Sequence, residues 1–167
     1  MSLPDAEKLC DALARQLAER VTDKTAMIGI HTGGVWLAER LHERLRLAVP
    51  LGVMDVAFYR DDYHAQGLHH DPKRTRIPFD VSGRELLLVD DVLYTGRTNR
   101  AAMNELFDYG RPASIALAVL ADRGGRQLPI CAQHCGATVD VPAGMRLRLK
   151  RGADGALAFE LEGQRGA

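Results

Sequence analysis

The sequence predicts an α/β fold, a single domain over residues 1–167 with a mainly parallel sheet flanked by helices on both faces. Three observations carry this. Short apolar runs without polar alternation, Leu86–Val89 and Ser114–Leu120 among them, read as strands buried on both faces. Amphipathic segments alternate with these runs through the middle of the chain, as in βαβ units. Two strand candidates lead into glycine-containing turns that open a helix, His31-Thr32-Gly33-Gly34 and Tyr94-Thr95-Gly96-Arg97-Thr98. In sheets of this kind the active loops gather at the carboxyl ends of the strands.

Taken in order, residues 5–21 read as an amphipathic helix, with Leu9, Leu13, Leu17 and Val21 recurring every four residues and Asp5 placed to cap it. Ala26–Ile30 is a buried strand, followed by the Gly33-Gly34 turn and a helix from Val35 to Leu45. Leu51–Tyr59 is a further strand. From Arg60 to Val81 the sequence is polar and irregular, with Pro72 and Pro78. A loop of that length inside a compact domain is usually functional, and the role expected here is a lid that keeps water from a reactive centre. Lys73, Arg74 and Arg76 would bring positive charge with it. Strand Leu86–Val89 leads through Asp90-Asp91 to the second turn and a helix over Asn99–Tyr109, with Ala102, Leu106 and Tyr109 on one face and Gly110 as its stop. Ser114–Leu120 is a strand that ends in the charged, glycine-containing segment Ala121–Ile130. Met145–Leu161 alternates around Asp154-Gly155, which predicts a C-terminal β-hairpin.

Composition bounds the function. A chain of 167 residues with 46% hydrophobic and 26% charged residues can bury a real core. Acidic and basic residues balance at 22 each, so no global charge draws the protein to nucleic acid or a membrane surface. Three cysteines, Cys10, Cys131 and Cys135, are too few and odd in number for a disulfide framework, and fit a reducing, cytoplasmic setting. No apolar run can span a bilayer, and no secretory or lipidation signal is expected. His69-His70-Asp71 and Cys131-Ala132-Gln133-His134-Cys135 lack the spacing of a closed metal site; they read as a solvated loop and a packed segment with reduced thiols.

The chemistry concentrates at Asp90–Thr98. A Thr/Gly turn at the positive end of a helix dipole suits a phosphate, and Gly96 allows close backbone approach. Asp90 and Asp91 would repel that phosphate. They fit neutral hydroxyls, a cation, or positive charge that develops during reaction. A phosphate at one end and a diol in the middle describe a ribose 5-phosphate. The Gly33-Gly34 turn is a second candidate anion site.

Leu86–Thr98 resembles the phosphoribosyl pyrophosphate (PRPP) signature of type I phosphoribosyltransferases. Tyr94 and Arg97 within it, Tyr59-Arg60-Asp61-Asp62 before it, and Gly110–Ile115, Asp122-Arg123-Gly124 and Leu128-Pro129-Ile130 after it resemble the PyrR family. Its members are bifunctional pyrimidine operon regulators and uracil phosphoribosyltransferases, and the likeness covers about residues 5–160. The resemblance implies the type I phosphoribosyltransferase fold, with a flexible active-site loop and a small hood. It implies transfer from PRPP to uracil, giving UMP and pyrophosphate. Asp90 and Asp91 would meet the ribose hydroxyls, and Tyr94, Thr95, Gly96, Arg97 and Thr98 the 5′-phosphate. His31, Thr32, Gly33 and Gly34 would face pyrophosphate. Arg60, Asp61, Asp62, Lys73, Arg74 and Arg76 belong to the flexible loop, and Leu120, Asp122, Arg123, Leu128 and Ile130 to the hood over uracil. Mg²⁺ would bridge PRPP oxygens with no direct protein ligand, reaching Asp90 or Asp91 through water.

Implied partners are PRPP, uracil, UMP and UTP, the leader RNA of the pyrimidine operon, and further copies of the chain in a dimer or tetramer. Arg15, Arg20, Arg123, Arg126, Arg146, Arg148, Lys150 and Arg151 are the candidate basic face for RNA. Three positions depart from the family's habit. Gly33 stands where a basic residue is common, and Gly125 where a histidine follows Asp-Arg-Gly. Ala14-Arg15-Gln16-Leu17-Ala18 lacks the usual Thr and His. Two alternatives stand beside the main reading: a nucleotide-sensing RNA-binding regulator with little or no catalysis, and a phosphoribosyltransferase for another base.

Overall fold

The computed structural model describes residues 2–56 and 75–163. Its first helix, α1 (Ala6–Ala18), starts where the Asp5 side chain accepts hydrogen bonds from the N–H groups of Glu7 and Lys8, at 3.0 and 3.1 Å. The buried stripe is Ala6, Cys10, Leu13, Ala14 and Leu17. Leu9 and Val21 are only half-buried, so the face is rotated from the four-residue spacing, and the helix ends three residues before Val21. Asp5→Ala removes the cap and should cost about 1 kcal/mol. A thermal melt should show a fall of about 2–4 °C for a domain of this size; an unchanged melt would mean that the cap is idle.

Strand β1 (Thr25–Ile30) is buried at every residue. It feeds α2 (Gly33–Leu45) and then β2 (Gly52–Met54), which is shorter than the strand expected over Leu51–Tyr59. Strand β3 (Glu85–Leu93) leads to α3 (Arg97–Leu106), which stops three residues short of Tyr109, leaving that side chain exposed rather than packed. Strand β4 (Ser114–Asp122) follows. Next comes β5 (His134–Thr138), a strand where only a packed segment was expected. Strands β6 (Met145–Arg151) and β7 (Leu157–Gly163) form the predicted antiparallel hairpin.

The five-stranded sheet has the order β2-β1-β3-β4-β5, with every pair parallel. Leucines along β3 alternate between its faces. Leu87 and Val89 pack with Leu13, Leu17, Leu37 and Leu41 of α1 and α2 and with Leu149 and Leu157 of the hairpin. Leu86 and Leu88 pack with Ala102 and Leu106 of α3 on the other face. Part of the expected lid belongs to this second core. Ile77, Phe79 and Val81 lie against it, and Arg76 pairs through its backbone with Val53 at the edge of β2 (2.8 and 2.9 Å).

Strand order places the site. After β1 the chain adds β2 on one side and β3, β4 and β5 on the other, so growth of the sheet reverses between β1 and β3. Ligands of open α/β sheets bind outside the carboxyl ends of the strands at such a reversal. Pairing of β1 with β3 ends at Gly29–Val89, whereas β3 continues beside β4 to Leu93–Asp122. Asp90 and Asp91 therefore lie inside the final residues of β3, beyond the end of its pairing with β1, rather than after the strand as expected.

Candidate active site

The acidic pair divides into an inner and an outer carboxylate. Asp90 is buried. Its Oδ1 accepts the Asp91 N–H at 3.0 Å, and its Oδ2 accepts the Nδ2 amide of buried Asn99 at 2.9 Å. Asp91 is half-buried and lies toward the glycine turn of α2. A Cβ at Gly33 would sit 2.3 Å from Asp91 Oδ2, and one at Gly34 would sit 2.7 Å from the Val89 carbonyl. The absence of side chains at these two positions thus lets the start of α2 rest directly on the end of β3. It also answers the departure at Gly33: with the turn this close, any side chain there would displace Asp91 or be displaced by it. His31 and Thr32, joined by a cis peptide bond, are half-buried on the same rim.

Tyr94–Thr98 forms the turn into α3. Thr95 is buried, and its Oγ1 accepts the Arg97 N–H at 3.3 Å. Gly96 caps the helix with φ +92°, a left-handed conformation that glycine adopts without strain. The helix end beside it carries the positive pole expected of an anion site.

Residues 122–130 fold over this turn. The N–H groups of Gln127 and Leu128 donate to the Thr95 carbonyl at 3.0 and 3.2 Å. The Gln127 Oε1 accepts from Arg97 Nε and Nη2 at 3.2 and 2.9 Å. Arg126 donates to the Tyr94 carbonyl and pairs with Asp122. Burial pushes the Asp122 carboxyl up, but the Arg126 hydrogen bond, the Gly124 N–H and the Arg126 charge outweigh it and hold the group below its usual value. Arg123 lies over the Tyr94 ring, 4.1 Å from its centre, and donates to the Met145 carbonyl at 3.1 Å. Gly125 has φ +73°, and a Cβ there would meet Tyr94 Cε2 at 2.5 Å. A histidine in its place would displace the Tyr94 ring.

Of the predicted hood, Leu128 and Ile130 reach the turn, with Ile130 against Gly96. Asp122 and Arg123 shape the segment through the contacts above. Leu120 is fully buried in the core with α1 and α2, so it supports the sheet and does not face this cleft. Arg60, Asp61, Asp62, Lys73 and Arg74 lie outside the described residues. Arg76 is exposed at the β2 edge. Asn99 and Gln127 escaped the sequence reading as site residues, and Arg126 entered it only as part of the candidate RNA face. Only Asn99, a polar residue opening a predicted helix beside an acidic pair, carried a local signal.

Among the described residues no group of three or more His, Cys, Asp or Glu side chains could hold a metal ion. Two adjacent carboxylates without a cage match a hard cation that keeps its waters and takes its other ligands from substrate phosphates. The cysteines are free, as expected, and no helix among the described residues is long and apolar enough to cross a membrane.

Comparison with known proteins agrees with this geometry. The family model for the phosphoribosyl transferase domain matches residues 2–140. The chain is 52% identical over 143 residues to the bifunctional protein PyrR of Nitrosococcus oceani, covering 84% of this chain and 81% of that one. It is 47% identical over 153 residues to the bifunctional protein PyrR of Pseudomonas aeruginosa, covering 89% and 90%. Among solved structures, the purine phosphoribosyltransferase of Pyrococcus horikoshii superposes with a TM-score of 0.62 at 28% identity, covering 80% of this chain and 82% of that one. With the acidic pair, the anion turn and the glycine turn gathered at one switch point, the chain belongs to the phosphoribosyltransferase family, in its PyrR branch.

Proposed function

We propose that this protein, acting as a single domain within a homo-oligomer, transfers the phosphoribosyl group of PRPP to uracil. The products are UMP and pyrophosphate. The observation that carries this is the convergence of Asp90-Asp91, the Tyr94–Thr98 turn and the Thr32–Gly34 turn at the β1/β3 carboxyl ends, with residues 126–130 clasped over the turn. The bond from C1′ to the pyrophosphate oxygen breaks, the bond from uracil N1 to C1′ forms, and the N1 proton is lost to solvent. Positive charge grows on the ribose as the first bond lengthens. Asp91, the outer carboxylate, faces that charge and stabilises it more than the neutral ground state, which raises turnover. Asp90 receives ribose hydroxyl hydrogen bonds while Asn99 and the Asp91 N–H hold its carboxylate in place. The start of α3 holds the 5′-phosphate by its helix pole, and the start of α2 approaches the leaving pyrophosphate by backbone alone. Leu128 and Ile130 provide apolar cover for a planar base.

Mg²⁺ fits as the cofactor: Asp91 or Asp90 would hold it through water, and it would supply neutralisation of the charge on the departing group. Uracil-dependent pyrophosphate release from PRPP, with hypoxanthine, guanine and adenine as controls, tests the assignment. Release with uracil alone is expected. Release only with a purine would reject the uracil acceptor.

The regulatory half of the reading has a different physical footing. The candidate RNA face is largely occupied within the protein. Arg148 and Lys150 pair with Glu162 at 2.9 and 2.6 Å, Arg151 with Glu39 at 3.1 Å, and Arg126 with Asp122. Arg15 and Arg20 are exposed on and just beyond α1. Leader RNA binding, if it follows the family, therefore rests on few phosphate contacts and has a shallow salt dependence. Filter retention of a pyrimidine leader transcript across a salt series, with and without UMP, measures this. A steep slope would show that the hairpin pairs open to engage RNA.

A further inference from the structure

We infer that Asn99 is a positioning residue for phosphoribosyl transfer, acting through Asp90; the inference rests on the proposed reaction. Helix α3 turns Asn99, Ala101, Ala102 and Leu106 inward, and all are buried. A buried amide in such a stripe costs free energy unless it is hydrogen-bonded, and an apolar side chain would satisfy the core equally well. Asn99 is 2% exposed, and its Nδ2 meets Asp90 Oδ2 at 2.9 Å, with Asp90 itself 6% exposed. The contact joins the two elements that make the site: the end of β3, which carries the acidic pair, and the first turn of α3, which carries the anion turn. With Asp90 Oδ1 held by the Asp91 N–H at 3.0 Å, both oxygens of the inner carboxylate are fixed in direction. Asn99 thus sets the plane in which Asp90 presents its carboxylate to the ribose. It also holds that plane at a defined place relative to the 5′-phosphate site, about one helical turn away.

A merely structural residue and a positioning residue differ in how their loss combines with loss of Asp90. Asn99→Leu should lower kcat/KM for PRPP about tenfold. In an Asp90→Asn background the same change should lower it less than twofold, because the carboxylate through which Asn99 acts is already gone. Equal tenfold losses in both backgrounds, or no loss in the first, would overturn the inference. Asn99→Asp keeps the volume but replaces the donor with a second acidic group. It should lose at least as much activity as Asn99→Leu, so a fully active Asn99→Asp would also overturn it, even if Asn99→Leu folds poorly. PRPP affinity measured by calorimetry on wild type, Asn99→Leu, Asp90→Asn and the double variant must show the same coupling. Because that readout involves no base acceptor, absence of uracil transfer by the wild type would reject the proposed reaction while leaving the Asn99–Asp90 coupling independently measurable.

Discussion

Asp91→Asn should reduce turnover about a hundredfold and leave the melting temperature within about 2 °C of wild type. A hundredfold corresponds to about 2.7 kcal/mol of barrier, within the range measured when one electrostatic stabiliser of a transition state is removed. The substitution preserves shape, and Asp91 is half-buried at a strand end rather than packed in the core, so folding should not register it. Its effect should fall on the rate and less on PRPP affinity, since the positive charge it faces exists mainly in the transition state. The Gly33 backbone, close enough that a Cβ would overlap the carboxylate, will hold the replacement amide in nearly the same place. That makes loss of charge, rather than movement, the variable. Single-turnover pyrophosphate release, with a thermal melt alongside, decides it. Full activity would remove Asp91 from the ribose-charge role and leave the inner carboxylate to carry it.

The parts of the site that were legible in the sequence are local. A strand, an acidic pair, a Thr/Gly turn and a helix start follow one another within Leu86–Leu106, and each reports its own conformation through composition. Parts made by distant pairing were not legible. Strand β5 has half-buried residues, an exposed end and a glycine at 136; it is a strand because β4 presents Ala118 to Asp122 for pairing with His134 to Thr138. Gln127 was silent because its role is a bond to Arg97, thirty residues earlier in the chain. The segment expected as a lid up to Val81 did carry a signal. Ile77, Phe79 and Val81 alternate at spacing two, the pattern of a chain lying against a core, and Pro78 with the surrounding charges obscured it. Leu120 differs in the opposite way: the family resemblance implied a place in the hood, but β4 buries it in the core with α1 and α2.

Gly96→Ala should be damaging to both stability and PRPP binding, and the two losses should separate. Two costs arise. A residue with a Cβ at φ +92° is strained by about 1–2 kcal/mol. The added methyl would also lie 2.9 Å from both Ile130 Cβ and Cγ1, and overpacking of this kind costs about 1–3 kcal/mol. Ile130 cannot simply swing away, because its segment is tied to the turn: its own N–H donates to the Leu128 carbonyl at 2.8 Å, and Gln127 and Leu128 both donate to Thr95. A total of about 2–5 kcal/mol should lower the melting temperature by about 4–20 °C. The PRPP KM should rise at least tenfold, because the backbone at the start of α3 must shift by a few tenths of an ångström just where the phosphate approaches. Ile130→Ala added to Gly96→Ala relieves the overlap but not the strained φ. The double variant should therefore regain about half of the lost stability and little of the PRPP affinity. Full recovery of both would mean that the hood contact, not the conformation of the phosphate turn, limits PRPP binding. A Gly96→Ala protein with wild-type melting and KM would mean that the left-handed turn is not needed for the site at all.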